Sequence, residues 1–392
     1  MNKKISKEII IVFVLCLGFA FGFFVNQKIN EKIYDDVYSE NGLNLSILAE
    51  AWRNIKEGFV FEENIDSEAM VYDAVKGLVS SLGDPYTSFL TPEEAESFQD
   101  DLDGKFDGIG IQIAKKDDDV IVISPIKNTP AEKAGIISGD IIKKINDEEI
   151  SSLALDAIVQ KIRGTAGTNV LLTVERNEIE RIFDIKRDTI IVPSAELEFI
   201  ETEKGKVAAL SIFQFSETSS KDVKELTNKI LNTSNVNGII LDLRNNPGGL
   251  VSEAKNIASL FLEKDLLVLK QCDKEEECFW LKSDGPGKLA DYKIVVLINK
   301  GTASAAEILT GALDGNLENV TTLGETSFGK GLVQKVLYLS DGSILKMTTE
   351  KWYTPLDEQI HGIGIEPEIK IENTEENDDS QFKKALELID NK

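Results

Sequence analysis

At 392 residues the chain has room for two or three domains with substantial apolar cores. Its formal net charge of −25 argues strongly against binding nucleic acid or an anionic membrane through a broad surface. A single histidine, His361, excludes metal sites built from several imidazoles, and three cysteines are too few for a zinc framework.

In chain order, Lys3, Lys4 and Lys7 precede an uninterrupted apolar stretch at residues 9–25. At about 1.5 Å per residue it reaches roughly 25 Å as a helix, the lower end for crossing a bilayer. No A-x-A-like cleavage site follows, and Leu15 stands before Cys16 where a lipid-attachment site wants a small residue. An uncleaved single-pass anchor is therefore favoured over a cleaved signal for residues 1–28, with the rest of the chain extracytoplasmic.

Residues 29–103 read as helical. Leu48, Ala51, Trp52 and Ile55 recur at i, i+3, i+4, i+7, and Ala74, Val75, Leu78 and Val79 form a second stripe. Gly83-Asp84-Pro85-Tyr86 breaks the chain, and Thr91-Pro92-Glu93-Glu94 opens another helix. From 104 to 189 the pattern changes to short strands with one amphipathic helix, marked by Leu155, Ile158, Val159 and Ile162 and ending at Arg163-Gly164. From 190 onward strands at 207–213, 238–244, 294–298 and 331–339 alternate with helices at 220–231 and 250–262, an α/β core. Cys272 and Cys278 lie close together in a charged stretch, and their spacing leaves open whether they pair. The acidic run at 372–379 reads as a solvated connector.

Three pieces of this last region carry chemistry. The apolar run 294–298 leads through a small-residue turn into a helix, and Ser304 stands at that turn. A hydroxyl there meets free backbone N–H groups and the helix dipole, which favour a developing oxyanion. A second strand-turn-helix unit ends in Arg244-Asn245-Asn246-Pro247-Gly248-Gly249 and supplies more free N–H groups. Gly329-Lys330-Gly331 sets a lysine between glycines. Taken singly, these are an N-cap, a turn and a solvated lysine. Together they point to a serine nucleophile with a lysine base. Lysine serves as a base only where burial or a neighbouring cation lowers its pKa, and the apolar flanks Phe328, Leu332 and Val333 fit such a site. The near-match of residues 324–331 to a phosphate-binding loop fails because Gly331 stands where Ser or Thr is needed. His361, in a glycine-rich turn, reads as backbone geometry.

Residues 104–189 closely resemble a PDZ domain of the circularly permuted bacterial type, through Pro130-Ala131-Glu132-Lys133-Ala134-Gly135 and Gly139-Asp140-Ile141-Ile142-Lys143-Lys144-Ile145. Gly108-Ile109-Gly110-Ile111 would then hold a terminal carboxylate while the next strand pairs with an extended peptide. With Gly301-Thr302-Ala303-Ser304-Ala305-Ala306-Glu307-Ile308 and Phe328-Gly329-Lys330-Gly331-Leu332-Val333-Gln334 in place, the chain from about residue 40 resembles the C-terminal processing peptidases. These are tail-specific, PDZ-containing serine proteases. The resemblance implies Ser304 as nucleophile, Lys330 as general base and Gln334 as its orienting partner. It also implies an oxyanion hole from the N–H groups near Gly248, Gly249 and Ala305, and a role for Arg163 in linking peptide binding to active-site assembly. As strand neighbours four apart, Lys330 and Gln334 would have Cα atoms roughly 13 Å apart, so contact needs long side chains or a bent strand.

The expectation is an α/β protease core of mixed sheet and helices, with an inserted PDZ domain at 104–189, a helical lead-in at 29–103 and the core at 190–392. It is a membrane-anchored serine endopeptidase that takes protein tails through the PDZ domain and needs no metal or organic cofactor. Its partners are polypeptides with accessible C-termini and the membrane, not nucleic acid. The lead-in helices and a C-terminal helix bearing Phe382, Leu386 and Leu388 suit either a homodimer or packing within one chain. Two competitors are a PDZ adaptor on an inactive body and acyl-thioester chemistry on the same α/β architecture.

Overall fold

The computed structural model describes residues 39–40 and 43–390 apart from 117–118, 127, 152, 154 and 373–378. The apolar stretch 9–25 lies outside the described residues. Among the described residues no helix is long and apolar enough to cross a membrane. The chain divides between Val75 and Lys76 into two compact units.

The first unit holds a short ribbon, β1 (Ser39–Glu40) with β2 (Leu43–Asn44), followed by α1 (Ser46–Gly58) and the start of α2 (Ser67–Ser80). The expected stripe on α1 forms a helix but buries no residue, leaving Ile47, Leu48 and Ile55 exposed.

In the second unit β3 (Ser88–Leu90) precedes α3 (Pro92–Asp103). Thr91 and Glu94 cap α3 reciprocally, and Gly104 closes it in the left-handed conformation with φ +70°. β3 falls within the region expected to be helical, and it is a strand because it pairs with residues 344–346, far along the chain.

Next come β4 (Lys105–Gly108), β5 (Ile111–Lys116), β6 (Asp119–Pro125), α4 (Pro130–Ala134), β7 (Ile141–Ile145), β8 (Glu148–Glu149), α5 (Leu155–Ile162), β9 (Asn169–Arg176), β10 (Ile179–Lys186) and β11 (Asp188–Ile191). The sheet runs β10-β9-β7-β6-β5, which puts β5 at an edge, and Ile109, Val122, Ile142, Ile158 and Leu172 fill its core. β4 and β11 pair, so the chain enters and leaves this module side by side. The wholly buried Asp140 takes a two-pronged ion pair from Arg176 at 2.6 and 2.7 Å, which explains the aspartate of the Gly139-Asp140 motif.

The remainder adds β12 (Ala195–Thr202), β13 (Gly205–Ile212), α6 (Ser219–Asn232), β14 (Val236–Asp242), α7 (Val251–Phe261), β15 (Leu267–Cys272), β16 (Cys278–Lys282), β17 (Lys293–Ile298), α8 (Ala305–Asp314), β18 (Val320–Gly324), β19 (Leu332–Tyr338), β20 (Ile344–Tyr353), β21 (Ile369–Lys370) and α9 (Ser380–Asp390). The main sheet runs β12-β13-β14-β17-β18-β21, parallel from β13 onward. Helices α6, α7 and α8 cover one face through Val223, Ile257 and Leu309. The other face, with Val207, Ile240, Val295 and Leu297, packs on α9. Burial on both faces is why β17 reads as an unbroken apolar run. Phe382, Leu386 and Leu388 of α9 are spent on this packing within the chain. A second sheet, β16-β15-β20-β19, carries β3 at its margin. Cys272 and Cys278, register partners across the β15–β16 hairpin, are joined as a disulfide.

Arg187 supports the junction between α5 and β11. Its buried guanidinium donates to the Lys161, Ile162 and Asn169 carbonyls and the Thr168 hydroxyl at 2.8–3.0 Å. Removing it strands those acceptors, so Arg187→Ala is expected to cost about 3 kcal/mol, read as a lower urea midpoint.

Candidate active site

The turns after β14 and β17 leave adjacent parallel strands at their carboxyl ends, where α/β sheets place their sites. They are laced together. Thr302 donates its hydroxyl to the Leu243 carbonyl at 2.8 Å, the Ala303 N–H reaches the Asn246 carbonyl at 2.9 Å, and Asn245 and Asn299 bond reciprocally. Arg244 anchors the first turn from outside through Asp242 and Asp379. Burial works against the Arg244 charge, but those two carboxylates outweigh it and raise its pKa.

Ser304 precedes α8 at φ 53° and ψ −117°, a backbone conformation that costs of order 1–3 kcal/mol for a side chain other than glycine. The surrounding lattice of bonds holds it there. Gly248, at φ +96°, lies against it so closely that an added Cβ would come within 2.7 Å of Ser304 Cβ and of the Ala303 carbonyl oxygen. The Gly248 N–H donates to Asn246 Oδ1 at 2.9 Å. The N–H groups of Gly249 and Ala305 have no protein acceptor among the described residues. Of the three expected oxyanion donors, two therefore remain open and one is engaged.

Lys330 does not lie on a strand. It occupies a strap between β18 and β19, so the expected strand spacing to Gln334 does not apply, and an irregularity in β19 falls between Val333 and Gln334. The strap is fixed from three sides. Trp352 Nε1 donates to the Lys330 carbonyl at 3.0 Å, and the Gly362 N–H to that of Gly329 at 2.9 Å. Gly331 passes so near the His361 turn that a Cβ would meet the His361 nitrogen at 2.7 Å. The third side is Glu307, below.

The Lys330 ammonium lies 5.2 Å from the centroid of the Tyr86 ring, which also meets His361 edge to face at 5.9 Å. Burial first, and then the charge of Lys346, pull the Lys330 pKa below the ordinary lysine value, while Asp84 and Glu307 act in the other direction. The expected apolar flank is different, because Phe328 is 53% exposed. The Gly83–Thr87 turn supplies the cover instead. Lys330 Nζ is not hydrogen-bonded to Ser304 or Gln334, and Gln334 Nε2 is buried without a partner among the described residues, as is Glu350 Oε2 on β20.

Glu307 went unassigned in the sequence, although its place three residues after a serine at a helix start fits a capping box. It is wholly buried and joins the two halves of the site. Its carboxylate accepts from the Ser304 N–H at 2.8 Å, the Ser327 hydroxyl at 2.6 Å, the Gly329 N–H at 2.7 Å and the Lys330 N–H at 2.9 Å. The strap that imitates a phosphate loop thus already encloses an internal anion.

In the PDZ-like module, Gly110 takes φ +78°, where a Cβ would collide with Thr129 at 2.4 Å. Ile109 is fully buried, and the Ile109 and Gly110 carbonyls accept from Ala131 and Ile126. The N–H groups of Ile109 and Gly110 have no acceptor among the described residues, and Gly108 and Ile111 end β4 and open β5 on either side. Arg163 turns toward α3, stacking over Phe106 at 4.8 Å and pairing with Asp101 at 3.6 Å.

Glu307→Gln places an amide N–H₂ among four donors. It is expected to lower kcat about 100-fold with little change in KM, and to destabilise the fold by about 2 kcal/mol, checked by peptide turnover and urea unfolding.

Residues 206–371 match the model of peptidase family S41, and residues 108–186 match a PDZ domain. A protein of Staphylococcus aureus (strain COL) called a CtpA-like serine protease is 40% identical over 308 residues, covering 78% of this chain and 61% of that protein. The corresponding protein of Staphylococcus saprophyticus is 39% identical over 313 residues, 80% of this chain and 62% of its own length. The chain therefore spans less than two thirds of these relatives. A photosystem II D1 C-terminal processing protease superposes at TM-score 0.52 with 26% identity, over 87% of this chain and 91% of that one. An S41 protease from Bacteroides fragilis, 17% identical at TM-score 0.55 over 86% of this chain and 96% of that one, shares the fold. The chain joins a PDZ domain to a family S41 peptidase domain and is a homologue of the CtpA-like serine proteases.

Proposed function

We propose that this chain is a serine endopeptidase of the C-terminal processing type, working by a Ser-Lys mechanism. The observation that carries the reading is the joining of the Ser304 turn and the Lys330 strap through Glu307, beside two open N–H groups. The neutral Lys330 amine takes the Ser304 proton as Oγ attacks the scissile carbonyl. The tetrahedral oxyanion is met by the Gly249 and Ala305 N–H groups, and Lys330 returns the proton to the leaving amine. Water, activated by the same amine, then hydrolyses the acyl-enzyme. Lys330 swings onto Ser304 when substrate seats, since catalytic hydrogen bonds of empty sites are commonly slack. Gln334 receives and orients the amine in that position.

A substrate tail is held at the free β5 edge, its terminal carboxylate on the Gly108–Ile111 loop. Arg163, on the side of the module facing α3, relays occupancy toward the catalytic sheet. Anchoring by residues 9–25 sets the enzyme outside the membrane. The exposed stripe of α1 is where a homodimer contact would form.

Ser304→Ala and Lys330→Ala are each expected to abolish cleavage of an unstructured polypeptide, by at least about 1,000-fold. In the native enzyme kcat/KM falls about tenfold per pH unit below the lowered Lys330 pKa, because only the free amine is active. Sequencing the products from native and Ser304→Ala protein checks the cleavage mode. Fragments lost from the C-terminal end support it, and turnover by either variant contradicts it.

A further inference from the structure

A second lysine stands near the expected base: Lys346 is the register partner of Ser88 on β3, two residues after Tyr86, whose ring lies 5.2 Å from the Lys330 ammonium. Lys346 lies on β20 opposite Val336, two residues before Thr348, which is the register partner of Gln334. With the two-residue repeat of a strand, Lys346, Thr348 and Gln334 point to one face of the sheet. Lys346 is half-buried, and among the described residues it has no carboxylate within ion-pair distance. Its ammonium sits instead over the Phe98 ring of α3, 5.6 Å from the centroid. An aromatic face holds a cation in place without neutralising it, which a carboxylate would do.

We propose that Lys346 is a positioning residue for the reaction, acting through Lys330: its ammonium, seated on Phe98 beside the turn that covers Lys330, opposes a second positive charge on the Lys330 amine. The inference rests on the reading of Lys330 as base. The charged groups acting on the Lys330 amine are Lys346 from β20, Asp84 from the turn before β3 and Glu307 from α8, and the Tyr86 ring, which itself contacts His361, lies beside it. The two carboxylates favour the protonated amine, and Lys346 is the charge that counters them. Paired lysines of this kind are a general route to an amine that is free at neutral pH.

The test is the pH dependence of kcat/KM for an unstructured fluorogenic peptide, measured for the native chain, Lys346→Met, Lys346→Arg and Lys330→Ala. Lys346→Met is expected to move the ascending limb about one pH unit upward. It is then about tenfold slower at neutral pH and converges on the native rate in alkali. Lys346→Arg keeps the charge and the native profile. Lys346→Gln carries the test should the methionine variant fail to fold. An unshifted limb, a loss of equal factor at every pH, or a rise in KM with the limb in place (as a substrate-carboxylate site would give) overturns the proposal. Turnover by Lys330→Ala would instead sink the base assignment itself, whereas an inactive Lys330→Ala beside an unshifted Lys346→Met limb removes only the role of Lys346.

Discussion

The Glu307 carboxylate, sealed from water between α8 and the strap, accepts four hydrogen bonds from two separate loops. Burying a charge without partners is costly, and four donors are what make it tolerable. That requirement also works in reverse. The strap cannot leave the Ser304 turn without stranding a buried anion, so the two loops move as one piece. Ser304 keeps its unfavourable backbone angles because the same lattice over-determines them. Gly248 completes the arrangement, since any larger residue would drive the neighbouring turn away from Ser304.

The Lys330 backbone is bound at both the N–H and the carbonyl, while among the described residues its amine makes no hydrogen bond and lies near the Tyr86 ring. Burial and Lys346 favour its neutral form, and Asp84 and Glu307 favour its charged form, with burial the largest of these influences. The net effect lowers the Lys330 pKa below that of an ordinary lysine. A fully dry lysine would be neutral but cut off from substrate, and a fully exposed one would remain protonated.

Much of this frame was legible in the sequence. The strands beneath the two turns are buried on both faces, so they stand out as continuous apolar runs, and the small residues after them mark the turns. Of the second sheet only β19 showed in the sequence. Lys346 to Glu350 of β20 is mostly polar and only half-buried, so it shows no clean alternation, and β15 and β16 flank a charged loop. β3 is too short to signal itself and exists through a partner some 250 residues away. Glu307 gave no signal of its bridging role, because its position three after a serine fits an ordinary capping box while its other three donors come from further along the chain. The cover over Lys330 was also misjudged. Phe328 beside it points outward, and the shielding comes from Tyr86, remote in sequence and close only in the folded chain.

The central claim is that the Lys330 amine loses its proton far more readily than an ordinary lysine. Reductive ¹³C-methylation of the intact protein, followed by NMR titration, measures this directly, with the Lys330→Ala variant identifying the resonance. The account predicts that the Lys330 signal titrates below those of the exposed lysines. A Lys330 signal that titrates together with them would contradict it.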